Sequence, residues 1–295
     1  MGFIPTRSTS LMGDGLLALF DHRRPGFRRS VTPWGFPLLY LGWAYVFWLP
    51  LFGSDTSVWS FPKVLFFLAG GASPLIAGVT MAYVTGGSER VRDIWRRLVD
   101  VRLIAPKWWV IVLGYWLVFD LLMAGTAVIL GVTDDPIHLA LTQLTDPGAL
   151  GFMLLLSFIF PLVEEVGLRG YYLDQLQARF SPTVAGLING GTWAVWHAPF
   201  VWFPGYYADV TFAPALWWWL PSIVLQTVLI VWVYNNTRRS ILAVLLFHGM
   251  MNFTGLVLGL APEMHPFSLV GTAVVVAVLV VSWRRPTASL SSVGE

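Results

Sequence analysis

Two adjacent carboxylates, Glu164 and Glu165, close the apolar run 150–163, and Arg169 follows Glu165 by four residues. Two later apolar stretches contribute His197, and His248 with Asn252 four residues beyond it. Acid, imidazole, carboxamide and guanidinium are together the parts of a hydrolytic centre, in which a carboxylate activates water and polar N–H groups receive the developing negative charge. Ionisable groups inside apolar segments are expensive, so each of these needs a partner or a purpose.

Residues four apart on a helix lie roughly 40° from one another around its axis. Glu165 and Arg169 therefore share a face, with the acid N-terminal to the base as an ion pair prefers. Glu164 is turned away by about 100° and is left for general-base work. His248 and Asn252 share a face in the same way and make a pair of donors suited to an oxyanion. His197 ends the segment Trp193-Ala-Val-Trp-His197, where Trp193, one turn earlier, fixes or shields the imidazole, and His197 can bind the water that Glu164 activates. The expected catalytic set is Glu164, His197, His248 and Asn252, supported by Glu165, Arg169 and Trp193. A single intramembrane His or Asn is ordinarily interhelical glue worth about 0.6 kcal/mol; these groups, spread over three apolar stretches, are read as one site. Asp120 stays outside the set, as a hydrogen-bond partner of a neighbouring helix or part of a water path. His197, His248 and Glu164 could instead ligate Zn²⁺, but no helix carries the two-His spacing of H-E-x-x-H, so no cofactor is expected, with zinc as the alternative.

The elements that must hold these groups are membrane helices. Of the 295 residues, 56% are hydrophobic and only 12% charged, with a mean hydropathy of +0.69. Apolar stretches near the roughly 20 residues a spanning helix needs lie at 34–53, 62–85, 107–131, 147–166, 182–203, 214–235, 239–260 and 267–283. The expectation is an all-α polytopic transmembrane bundle of about eight spanning helices. It comprises a cytoplasmic tail 1–33, one transmembrane domain 34–285 with the polar core at 147–256, and a cytoplasmic tail 286–295. Continuous apolar runs do not fit a barrel, whose strands alternate and span about 10 residues.

Charge placement gives the orientation, because short cytoplasmic loops carry the excess Lys and Arg. Arg23, Arg24, Arg28 and Arg29 precede the first stretch; Arg90, Arg92, Arg96, Arg97 and Arg102 follow the second; Arg169 and Arg179 follow the fourth. Arg238 and Arg239 follow the sixth, and Arg284 and Arg285 the eighth, while the opposite connections are acidic. Both termini are expected in the cytoplasm, and the scarcity of Lys beside Arg suggests a bacterial cell membrane. The net charge of +2 is this bias, and it gives no support to a nucleic-acid partner. With no cysteine, disulfides, thiol nucleophiles and cysteine-ligated metals are excluded.

Other features have structural readings. The tryptophans at 108–109, 202 and 217–219 suit the headgroup layer. Gly186 and Gly190 offer a face for close helix packing, and Pro161 is placed to bend the helix just before the glutamates. Segment 170–180, too polar to span yet with apolar residues at helical spacing, is expected along the cytoplasmic interface.

Three motifs resemble those of the CAAX-protease and bacteriocin-processing family of intramembrane proteases, which includes the type II CAAX prenyl endopeptidases. Its E-E-x-x-x-R motif corresponds to Glu164-Glu-Val-Gly-Leu-Arg169, its F-x-x-x-H motif to Trp193-Ala-Val-Trp-His197, and its H-x-x-x-N motif to His248-Gly-Met-Met-Asn252. The resemblance covers about 147–256, with Trp193 in place of the usual Phe. It implies an endopeptidase hydrolysing a peptide bond near or within the bilayer. Glu164 and His197 would activate water, His248 and Asn252 would stabilise the oxyanion, and Glu165 and Arg169 would hold the motif. The partners implied are a peptide or protein substrate and the lipid bilayer. An ion- or proton-coupled transporter, or a non-catalytic peptide-binding or immunity protein, would use the same buried polar site.

Overall fold

The computed structural model describes residues 32–207 and 214–283; both expected tails, apart from Thr32 and Pro33, lie outside it. Every apolar stretch read from the sequence becomes helix. These are α1 (Gly35–Trp48), α2 (Lys63–Gly71) with α3 (Ser73–Val99), α4 (Pro106–Ile129), α5 (Pro147–Gln177), α6 (Pro182–His197), α7 (Leu216–Asn236), α8 (Ile241–Leu258) and α9 (Met264–Trp283). Among the described residues there is no strand, and one isolated bridge joins Ile137 to Leu260. An all-helical answer is the one lipid demands, since a helix satisfies its own backbone hydrogen bonds.

The span count differs from the eight expected. Five helices, α4, α5, α7, α8 and α9, are long and apolar enough to cross, or six if α2 and α3, bent by 42°, form one broken span. Hydropathy measures apolar length, not helical length. The first stretch loses its end where Pro50 tightens the chain into a 3-10 turn at Leu49–Leu51, because proline supplies no N–H to an α-helix. The fifth starts at Pro182 as expected, capped by the Ser181 side chain, but gives way to a 3-10 turn at Ala198–Trp202.

A second correction concerns 170–180. It is not a separate surface helix: α5 runs on to Gln177, and Tyr171, Tyr172, Leu173 and Leu176 are buried against protein. Its apolar periodicity faces protein, with Tyr172 stacked 4.7 Å from Phe36 of α1.

The outer faces are apolar. On α9, Val270, Val274 and Val278 recur every four residues and are all exposed, the arrangement expected of a lipid-facing stripe. Inside, helices touch where glycine permits it. A Cβ on Gly190 would stand 2.9 Å from the Val224 backbone of α7 and 3.0 Å from Thr227, so the glycine face read on α6 is a packing face. Gly167 of α5 lies against Pro74 and Gly78 of α3, where a side chain would overlap the Pro74 carbonyl. That approach seats α5 two residues after Glu165.

Candidate active site

Helix α5 carries the glutamates on a short α-helical stretch, Phe160–Gly167, flanked by two wide π-turns, Leu155–Ile159 and Leu168–Tyr172. The first has a local cause. Pro161 donates no N–H and its ring crowds the carbonyl four residues earlier, so the helix widens ahead of it. The carbonyls of the second are taken up from outside. Asn189 Nδ2 donates to Leu168 O at 3.0 Å, and Arg97 Nη2 donates to Gly170 O at 2.6 Å. Such π-bulges frequently accompany functional sites, and here they set the direction in which Glu164 and Glu165 leave the helix.

The two glutamates have different surroundings. Glu165, with no exposed surface, accepts Arg169 Nη1 at 2.7 Å and His248 Nδ1 at 2.8 Å, both on Oε1. Arg169 is equally buried; its Nη2 reaches the Thr227 hydroxyl at 3.4 Å, and its guanidinium lies 4.8 Å from the Trp193 ring. Beside an ionised carboxylate the His248 ring must donate from Nδ1, which leaves Nε2 as its outward-facing nitrogen. Glu164 is 7% exposed, and its Oε2 accepts Trp193 Nε1 at 2.7 Å.

Trp193 joins the three helices. Its indole N–H holds Glu164, its carbonyl receives His197 Nδ1 at 3.0 Å, and its ring stands edge-on to both His197 and His248 at 5.0 Å. His197 is half-buried at the end of α6, boxed by Trp196 at 4.8 Å, Phe200 at 5.3 Å and Trp219 at 5.6 Å. With Nδ1 held by the backbone, its Nε2 is the nitrogen available to a ligand. Asn252 is half-buried one turn beyond His248, and its side chain makes no hydrogen bond to another described residue. Asp120 lies apart from this group, as the acceptor of the Thr254 hydroxyl at 3.0 Å. Among the described residues, no group of three or more His, Asp or Glu side chains is arranged to hold a metal ion.

Glu164, Glu165, Arg169, Trp193, His197 and His248 thus form one connected buried cluster, with Asn252 beside it. Sequence reasoning missed the contact between His248 and Glu165, and it missed the residues that surround the set. Asn189 and Thr227 carried a signal, as polar residues in apolar segments. Trp219 was read as an interfacial tryptophan, yet its ring faces His197.

Residues 146–254 match the family model described as Type II CAAX prenyl endopeptidase Rce1-like. The CAAX prenyl protease 2 of Methanococcus maripaludis is 27% identical over 218 residues, covering 70% of this chain and 78% of the relative. The family match starts at the helix that bears the glutamates and ends just past Asn252. Residues 146–254 of this integral membrane protein are therefore similar to the protease domain of the type II CAAX prenyl endopeptidase Rce1-like family.

Proposed function

We propose that this intramembrane endopeptidase hydrolyses its peptide bond with water activated by Glu164. The observation that carries the reading is the unequal surroundings of the two glutamates: Glu165 is fully buried with a cation and an imidazole on Oε1, whereas Glu164 accepts one indole N–H and keeps some exposed surface. Glu164 takes a proton from water, and His197 Nε2 helps to hold that water. The water oxygen bonds to the substrate carbonyl carbon as the carbonyl π pair moves to oxygen. That oxyanion is received by the Asn252 amide and by His248 Nε2. Donation from Nε2 while Nδ1 donates to Glu165 requires the imidazolium, whose charge Glu165 offsets. Collapse of the intermediate breaks the C–N bond, and Glu164 returns its proton to the leaving amine. Each oxyanion donor of this kind contributes about 10²–10³ in rate.

No step of this reading needs a metal. Excess chelator is expected to leave turnover unchanged; loss on chelation with recovery on adding Zn²⁺ would replace this mechanism with a metal-assisted one.

The family description and the relative's name both refer to CAAX prenyl substrates. The substrate proposed here is accordingly a peptide near its lipid-anchored C-terminus, presented at the bilayer surface. A panel of internally quenched CAAX peptides, with and without an S-prenyl group, tests this. Purified chain should cleave the prenylated members, and Glu164→Ala should not. Equal cleavage by Glu164→Ala would overturn the mechanism, and no cleavage of any member by the unmodified chain would overturn the function.

The basic connections 86–105 and 237–240 are placed in the cytoplasm by the positive-inside bias. Because the chain has no cysteine, single cysteines at positions 100 and 134 give a clean accessibility test: position 100 should label from the cytoplasm and position 134 from the other side.

A further inference from the structure

Tyr40 belongs to α1, outside the stretch that matches the family, yet it is built against the site. The ring is fully buried and stacked between Phe36 at 5.4 Å and Trp196 at 5.9 Å. Trp196 immediately precedes His197 and stands edge-on to it. The docking of α1 here is firm: Tyr45 OH donates to Val195 O at 2.8 Å, and Trp48 lies 5.2 Å from Trp196. The Tyr40 hydroxyl, however, has no hydrogen-bond partner among the described residues although it is completely enclosed. Its charged neighbours are Glu164 and Arg169.

An enclosed hydroxyl without a partner costs about 1–3 kcal/mol. Packing alone would be served better by phenylalanine, the residue found one turn earlier at Phe36 on the same face. A phenol at this position, in the field of Glu164, the one of the two glutamates with exposed surface, has a use if a water molecule stands between them. A buried water typically takes about three hydrogen bonds from otherwise unsatisfied polar groups.

We propose that Tyr40 is a further catalytic residue: its phenol oxygen accepts one O–H of the attacking water while Glu164 accepts the other. The water's lone pair is then directed at the substrate carbonyl. On attack, one proton passes to Glu164, the new C–O bond forms and the carbonyl pair becomes the oxyanion; Tyr40 stays neutral throughout. This rests on the water-activation reading above.

The test is Tyr40→Phe, which keeps both ring stacks and removes only the hydroxyl. Turnover of the quenched prenylated CAAX peptide is expected to fall 10- to 100-fold in kcat with KM unchanged. The melting temperature in detergent should change little, since the hydroxyl bonds to no other described residue. Turnover within two-fold of the unmodified chain, an effect confined to KM, or an activity loss that tracks a lower melting temperature would each overturn the proposal. If the unmodified chain cleaves nothing, the parent reading fails with it; if the unmodified chain cleaves and Tyr40→Phe cleaves equally, only the role of Tyr40 fails.

Discussion

The molecule contains two polar clusters of similar composition, and they differ in how fully their atoms are engaged. Between α3, α5 and α7, the guanidinium of Arg97, 4% exposed, meets Asp93 at 2.9 Å and Asp174 at 3.4 Å. It also donates to Tyr234 OH and Gly170 O, both at 2.6 Å. Asp174 in turn takes Tyr234 OH and the Arg239 guanidinium. Acid and base there use each other up. In the Glu164 cluster Glu165 is bound by a cation and an imidazole, but Glu164, His197 Nε2, His248 Nε2 and Asn252 keep hydrogen-bonding capacity in reserve. Charge burial is thus a poor guide to catalysis by itself; Glu165 Oε2 and Arg169 Nε are also without hydrogen-bond partners but fully enclosed, so it is spare capacity on groups that keep some exposed surface that marks where a substrate can be handled. The first cluster also serves the second, because Arg97 occupies a carbonyl of the π-turn that begins one residue before Arg169.

Four substitutions separate the two kinds of cluster. Arg97→Met leaves the Gly170 carbonyl and the Tyr234 hydroxyl without their buried donor, while Asp93 and Asp174 keep Arg96 and Arg239, and is expected to cost about 1–3 kcal/mol of stability, read by thermal or denaturant unfolding in detergent. Activity per folded molecule should change little by comparison. A stable Arg97→Met protein with abolished turnover would blur the distinction. Asn252→Ala removes a donor that holds nothing else, so the folded protein should melt normally while kcat falls about 10²–10³-fold, near 3–4 kcal/mol of transition-state stabilisation. Trp193→Phe keeps the ring under Arg169 and beside both imidazoles but deletes the N–H that holds Glu164. A roughly ten-fold loss in kcat, about 1.4 kcal/mol, is expected, and unaltered kinetics would show that Glu164 needs no such tether. Thr254→Val, which removes the partner of Asp120 on α8, should cost on the order of 1 kcal/mol and leave peptide turnover within two-fold.

Much of this was legible in the residues. The apolar stretches marked every major helix, and the four-residue spacing of Glu165 and Arg169 led to a pair that closes at 2.7 Å. What hydropathy could not mark was helix length, because the 3-10 turns containing Pro50 and Pro199 end helices inside apolar sequence. It also misplaced 170–180, whose tyrosines are amphipathic enough for an interface and are in fact buried against α1. The division between the glutamates could be argued from the helical wheel. The bond from His248 to Glu165 could not, since it depends on how α8 packs against α5. Neither could Tyr40, which carries no local signal and acquires its interest only from the Trp196 beneath it and the carboxylate beyond.

The central claim, that adjacent carboxylates divide into a catalytic base and a structural anchor, is tested most directly by measuring turnover and melting temperature together for the isosteric pair Glu164→Gln and Glu165→Gln. The account predicts that Glu164→Gln melts like the unmodified protein and loses about 10²–10⁴ in kcat. Glu165→Gln should melt markedly lower, having left Arg169 buried without its counter-charge. Substantial turnover by Glu164→Gln, or an unshifted melting temperature in Glu165→Gln, would contradict it.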